Sequence, residues 1–489
     1  MGNRLFRKKS IHLLIAETAD DGKGLKRSLT AISLIALGIG AIIGAGLFVR
    51  TAAAAANNAG PSVTIGFIIA GIGCALAGLC YAEFASMIPI SGSAYTYSYA
   101  TMGELMAWII GWDLVLEYAL GAATVSIAWS EYLNKLLSYF DYHIPYEFCH
   151  SPFEVSTLGA HGIMNIPALF IVFLLTLLLI KGARESSLVN GIIVLTKVAI
   201  VILFIAFGWS FINPINHTPF IPESSIYVDG QGVSHNFGGI LGILGAAGVV
   251  FFAFIGFDAV STAAQETKNP KKAMPIGILG SLAICTVLYI LFSYVLTGVA
   301  SIDDFRNAGK EASVTYAIQT YMTGYGWLGK LVTVAILAGF SSVILVMLYG
   351  QSRVFYSMSR DGLVPKLFSD VHSKYRTPYK SNMLFLAFVG LFASFVPQDI
   401  VGDMTSIGTL FAFILVCIGV MIMRKTNPEI PRQFKTPWVP VVPILGVIVC
   451  GAMVFGLGWA NWARLLIWMG IGFIIYFAYS IRKSKLNKK

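Results

Sequence analysis

The chain has 489 residues, of which 56% are hydrophobic and only 12% charged, and its formal net charge is +10. A soluble protein would carry roughly 25% charged residues, so a string of water-soluble domains is excluded and one all-α integral membrane domain is expected. The basic excess could suggest nucleic acid, but its placement reports membrane topology instead.

In chain order, residues 1–29 are polar and basic and form an expected cytoplasmic segment. Apolar spans then run approximately over 30–56, 61–89, 102–134, 163–181, 188–212, 238–263, 274–300, 326–350, 382–396, 402–423, 440–458 and 461–481, twelve in all. Most reach the roughly 20 residues that cross a hydrocarbon core, and the ninth is short. No small-residue cleavage site follows the first span, so it is a retained helix rather than a signal peptide. With the amino terminus inside, 27 of the 34 Lys and Arg residues fall on one side. That is the positive-inside pattern. It predicts a multi-pass protein of the cell membrane, both termini cytoplasmic, with lipid and not nucleic acid as its surroundings.

Span 1 carries a glycine-rich break, AIIGAGLFV, from Ala41 to Val49. A helix interrupted in lipid needs other partners for its freed backbone groups, and such breaks typically line a substrate cavity near the midplane. At Ile42, Ile43, Gly44, Ala45 and Gly46, the N–H groups opening the half-helix near Gly46 suit a carboxylate. The carbonyls that end the preceding half suit an ammonium group. The competing reading is that these glycines only allow close packing, since Gly40 and Gly44 have small-xxx-small spacing.

On span 3, Asp113 and Glu117 lie four residues apart and share a helical face. Two carboxylates on one buried face repel, so one of them is expected to hold a proton. The alternative places Asp113 near a wet cavity with only Glu117 buried. The connection over 135–162 holds His143, His150 and His161, spaced unlike a metal site, and Cys149, the one cysteine outside the spans. On span 5, Lys197 sits in mid-membrane, where a Lys costs about 2.5–3.5 kcal/mol. It is either a proton-coupling group or a permanently charged tether to carbonyls of span 1. Asn216-His217-Thr218 is a glycosylation sequon in an external loop.

Span 6 carries the second break, FFAFIGFDAV, Phe251 to Val260. Residues Phe252 to Phe257, Phe254 among them, offer further carbonyls, so the two breaks together can read both ends of a zwitterion. Asp258 adjoins this break, either as a binding residue or as the cap of the half-helix that follows. Beyond span 8, a short helix is expected around Arg353 to Ser359, then a turn at Asp361-Gly362. Gly324 to Leu331 nearly matches a P-loop but lacks its final hydroxyl residue and leads into a span. No metalloprotease or esterase signature is present, so no enzyme, metal or cofactor is expected.

Spans 1–5 (30–212) and 6–10 (238–423) read as two five-helix units. Five is odd, so the second must enter from the opposite side, the inverted repeat of many secondary transporters. The two breaks then occupy equivalent places. Spans 11 and 12 (440–481) are an appended pair, and 482–489 is a cytoplasmic tail.

GIGAIIGAGLFV (38–49), GWDLVLEYALGAA (111–123), SRVFYSMSRDGL (352–363) and above all FFAFIGFDAVSTAAQETKNPKKAMPIGI (251–278) resemble the amino acid–polyamine–organocation superfamily. Within it they are similar to bacterial relatives of the cationic amino acid transporters. The resemblance implies a leucine-transporter-like fold. It implies that an α-amino group meets carbonyls of Ile42, Phe252, Ala253 and Ile255, and a carboxylate meets amides of Gly44, Ala45 and Gly46. It implies that Lys197 stands where sodium-coupled relatives bind sodium, and that spans 3, 6 and 8 read the substrate side chain. Glu117 and Met347 are the candidates there. A bulky Met347 shortens the pocket and favours small or neutral substrates.

The expectation is therefore proton-coupled symport of free L-amino acids by alternating access, with Lys197, Glu117 and Asp113 as coupling candidates. An obligate exchanger, a cationic amino acid or polyamine carrier, and a non-transporting sensor are the alternatives. A small membrane subunit and homo-oligomerisation are left open.

Overall fold

The computed structural model describes residues 5–10, 29–88, 93–156, 159–181, 187–230, 232–308, 313–375 and 377–487. Most of the amino-terminal segment, and the connection at 182–186 within the basic stretch 181–187, therefore lie outside the described residues.

The chain opens with α1 (Ala31–Ile42), whose start is set by Thr30: its hydroxyl accepts from the Ser33 amide. After the break the helix resumes with π-turns at Gly46–Arg50 and Ala55–Ala59. It ends at Gly60, a positive-φ position. There follow α2 (Val63–Met87), the short α3 (Ser93–Thr101), α4 (Glu104–Ser138), α5 (Ile166–Lys181) and α6 (Ser187–Gly208). A two-stranded antiparallel hairpin, β1 (Ser225–Val228) and β2 (Ser234–Phe237), comes next. Then come α7 (Gly239–Phe251), the second break, and α8 (Pro270–Val299), which has Pro at its first position. Two short helices, α9 (Ile302–Ala308) and α10 (Val314–Tyr321), precede α11 (Gly326–Arg360), α12 (Tyr379–Phe395), α13 (Gln398–Thr426), α14 (Val441–Gly456) and α15 (Trp459–Ile475).

Among the described residues, eight stretches are long and apolar enough to cross a membrane, and four shorter apolar helices accompany them. The protein is a multi-pass membrane protein. Its lipid-facing side is visible in α5 and α6, where Phe170, Phe173, Leu177, Leu195 and Ile202 are exposed. In water such a surface would be unstable; in lipid it costs nothing.

Three details differ from the sequence reading. The fold is not purely α, because the hairpin caps one face. Arg306 of α9 lies between the Tyr227 and Phe237 rings at 4.0 and 4.4 Å and donates to Ala56 O at 3.0 Å. Second, two short helices, α9 and α10, stand in the connection between α8 and α11. Third, no separate helix starts at Arg353. The helix α11 is continuous for 35 residues, roughly 52 Å at 1.5 Å per residue, and so projects beyond a ~30 Å core. Gly350 lies within it, with the Tyr118 ring 3.5 Å from where a β-carbon would stand.

The opposite face gathers both termini. Lys9 pairs with Asp361 at 3.0 Å, and Tyr95 donates to the same carboxylate at 2.8 Å. Arg7 donates to Leu486 O at 2.8 Å. Glu104 accepts from Tyr99, Tyr476 and Ser484. Glu83, at the end of α2, holds Arg424 through two bonds of 2.7 and 2.9 Å. These ties pin helix ends at the terminal face around the broken helices.

Candidate functional site

The site is built where the two interrupted helices cross. In the first break, Ile43 turns extended (φ −71°, ψ 103°) before the chain re-enters a helix at Gly46. In the second, a 3-10 turn over Phe252–Phe254 leads to an extended Ile255. Gly256 follows at φ +112°, which only glycine adopts without strain. A β-carbon on Gly46 would collide with the Ala253 backbone, and one on Gly256 would lie 3.0 Å from Ala41 O. The glycines thus serve both readings offered by the sequence. They let the breaks touch, and touching brings their freed backbone groups to one place.

The carbonyls at this crossing face a common donor. Tyr289 of α8 donates its hydroxyl to Ile42 O at 3.0 Å and to Ala253 O at 2.9 Å. A hydroxyl has one proton for two acceptors, so the pair retains capacity for another donor such as an ammonium group. Nothing in the sequence reading singled out Tyr289. Its position in mid-span was the available signal, since a buried Tyr needs a hydrogen-bond partner; in the structure it lies beside Phe67 and Phe254. Phe254 turns its ring to that wall and contributes backbone rather than side chain to the crossing.

Lys197 reaches the first break from α6. Its Nζ donates to Gly40 O at 2.8 Å. Its stem lies against Gly339, where a β-carbon would fall 2.6 Å from Lys197 Cε. The small void beside it is lined by Ile43, Phe48, Ile200, Ile336 and Phe340 and has no room for a water molecule. The bond to span 1 fits the tether and the coupling group alike.

Helices α4, α11 and α13 complete the walls in three layers. In the middle layer, Val343 covers Gly44, and Met347 rests on Gly121 with Thr405 alongside. Toward the terminal face, Asp258 accepts from Tyr118 and, at 3.3 Å, from Ser93. The Glu117 carboxyl lies near that of Asp258, and neither of its oxygens has a hydrogen-bond partner among the described residues. Asp113 is fully buried, contrary to the alternative that set it beside water, and its carboxyl lies against Gly408. It accepts no hydrogen bond from any described donor. Asp258 does begin the 3-10 segment Asp258–Glu266, but its N-cap position is Phe257, which makes no side-chain cap. The carboxylate also crosses to α4 and α3.

Toward the hairpin face, Arg50 pairs with Asp403 of α13 and stands 5.5 Å from the centre of the Phe252 ring. Asn461 extends the closure, donating to Asp403 at 3.2 Å and accepting from Arg464 at 2.5 Å. The sequence reading missed Arg50 and Asp403. The signal was there: a charged residue only four positions beyond the break, in a span where charge is costly.

Outside the site, Cys149 is buried and donates its thiol to Pro145 O at 3.2 Å. Burial and nearby carboxylates push that thiol up to about 11, which leaves it unreactive. The sequon Asn216 donates its amide to Gly298 O at 2.8 Å. Among the described residues no cluster of metal-ligating side chains occurs.

A family model described as amino acid permease matches residues 29–480. A branched-chain amino acid permease of Bacillus subtilis is 46% identical over 488 residues, covering 100% of both chains. A methylthioribose transporter of the same organism is 42% identical over 484 residues, 99% of each chain. Cationic amino acid transporter 9, chloroplastic, of Arabidopsis thaliana is 36% identical over 463 residues, 93% of this chain and 77% of its own length.

Proposed function

The chain belongs to the amino acid permease family and is a transporter rather than an enzyme, and from that premise we propose that it carries neutral L-amino acids with short or branched aliphatic side chains, coupled to protons, by alternating access. The proposed architecture is twelve crossings, with 30–212 and 238–423 as inverted five-helix repeats, 440–481 as an added pair, and the terminal face cytoplasmic. A location in the cell membrane goes with that orientation.

The observation that carries the reading is the crossing of the two breaks. It gathers Ile42 O and Ala253 O on one hydroxyl and sets the start of the Gly46 half-helix beside them. Carbonyls there serve the ammonium end of a free amino acid. The amides of Gly44, Ala45 and Gly46, with the positive end of the helix dipole, serve its carboxylate. Val343 and Met347 above the break are apolar, which supports aliphatic over cationic side chains. The 46% identity to a branched-chain amino acid permease points the same way.

For coupling, Lys197 holds Gly40 of α1 while protonated. The neutral amine keeps N–H donors but not the charge that strengthens this bond, so losing the proton weakens the hold on α1, the half-helix that must move for the terminal side to open. One proton moving down 100 mV supplies about 2.3 kcal/mol, enough for a gradient of roughly 40-fold.

Proteoliposomes with an alkaline interior are expected to accumulate leucine, valine and alanine and to lose accumulation with an uncoupler. Accumulation that ignores the uncoupler or strictly requires sodium overturns the coupling. Lys197→Gln separates symport from exchange: symport loses driven uptake while counterflow persists, and an exchanger loses neither. A second substrate reading, a neutral thioether sugar, is favoured by the 42% identical methylthioribose transporter. Counterflow of leucine blocked by methylthioribose at equal concentration would favour it.

A further inference from the structure

Met347 does not simply fill the space above the break. It lies one helical turn from Val343, the residue that covers Gly44, and its end leans away into α4. There it occupies a notch that exists only because residue 121 has no side chain. A β-carbon at Gly121 would stand 2.9 Å from Met347 Sδ and 3.3 Å from its Cε, while Thr405 Cγ2 closes the same spot at 3.5 Å. All three are within or below contact distance for carbon, so notch and thioether fit with no slack.

We infer that Gly121 sets the length of the substrate side chain by parking the Met347 thioether out of the pocket. The inference rests on the amino acid carrier reading and adds the determinant of selectivity to it. Methionine is flexible and repacks without disturbing the backbone. With the notch filled, its end cannot move toward α13, where Thr405 stands, nor back through its own helix. The remaining direction is toward the two breaks, where a substrate side chain must lie. Gly121 touches no substrate in this arrangement. It acts as a positioning residue through Met347, so its effect depends on Met347 being present.

The experiment is leucine counterflow in proteoliposomes, competed with glycine, alanine, valine, leucine, isoleucine and methionine. One methylene in an apolar pocket changes discrimination by about tenfold or more. Gly121→Ala is expected to lower the ratio of leucine to alanine affinity at least about tenfold. In the double variant Gly121→Ala with Met347→Ala that ratio recovers, and Met347→Ala alone extends the profile toward methionine and longer chains. A Gly121→Ala that shifts every competitor equally, or a double variant that stays selective for alanine, overturns the inference. Should Gly121→Ala fail to fold, an unchanged length profile in Met347→Ala overturns it by itself. Failure of the carrier reading looks different: the unsubstituted protein then shows no counterflow with any amino acid, and the inference falls with it.

Discussion

Toward the hairpin face the space between the breaks is shut by a pair of fixed charges, Arg50 on Asp403, with Asn461 and Arg464 behind them. Toward the terminal face it is shut by hydroxyls on carboxyls, Tyr118 and Ser93 on Asp258, with Glu117 against it. The two closures answer to different variables. The first is a salt bridge between helices and opens when competing contacts or ions replace it. The second rests on two hydroxyls that donate to one carboxyl, with a second carboxyl nearby. Only the terminal-face closure sets two carboxyls near each other, which makes it the closure to test for the proposed coupling.

The largest effect is expected on the charged side. Asp403→Asn leaves Arg50, almost fully buried, without its counter-charge, a loss of about 3 kcal/mol or roughly 100-fold in initial uptake rate. Uptake within threefold of normal would remove the distinction between the closures. Next comes Asp258→Asn. The amide can still accept from Tyr118, so the shape of the closure survives while its titratable carboxyl does not. The ratio of driven uptake to counterflow is expected to fall from a ceiling of roughly 40-fold toward unity. A ratio that stays high assigns the proton elsewhere, to Lys197 first. Third, Tyr118→Phe deletes one bond to a buried carboxylate, worth about 1–3 kcal/mol. A cysteine placed at Ser261, with the native cysteines removed, should then react about tenfold faster with a thiol reagent supplied from the terminal side. Equal reactivity would mean that Tyr118 does not hold that side shut.

What could be read from the sequence follows from how local the physics is. The breaks were legible because Gly44-Ala45-Gly46 and Ile255-Gly256-Phe257 contradict a continuous membrane helix within a few residues. Lys197 was legible because one charge in an apolar run is conspicuous, and Glu117 because it shares a face with Asp113. The partners of Arg50, Asp403 and Tyr289 were not, although Arg50 and Tyr289 stand out as polar groups in apolar spans. Each acquires its role from a partner far away in sequence: 353 residues separate Arg50 from Asp403, and 247 separate Tyr289 from Ile42. Periodicity carries no record of such pairings. The hairpin was missed for a related reason: its strands are four residues each, too short for alternation to show, and they are held by Arg306 rather than by a hydrophobic face.

The smallest expected effect isolates backbone from hydroxyl at one position of the terminal-face closure. Ser93 donates to Asp258 over 3.3 Å, a long bond to a carboxylate already held by Tyr118. Ser93 also opens α3 at φ +50°, in the left-handed region that costs a residue with a β-carbon roughly 1 kcal/mol. Ser93→Ala loses the bond and keeps the strain, so terminal-side opening should rise by about two- to fivefold, the equivalent of ~0.5–1 kcal/mol. Ser93→Gly loses the same bond and relieves the strain where α3 begins. If the strain is borne by the closed state, the glycine variant recovers most of the closure that alanine loses, despite having no side chain at all. Cysteine reactivity at Ser261 reads the difference directly. Glycine and alanine behaving alike would show that the hydroxyl alone matters, and that the left-handed turn persists whether the terminal side is open or shut.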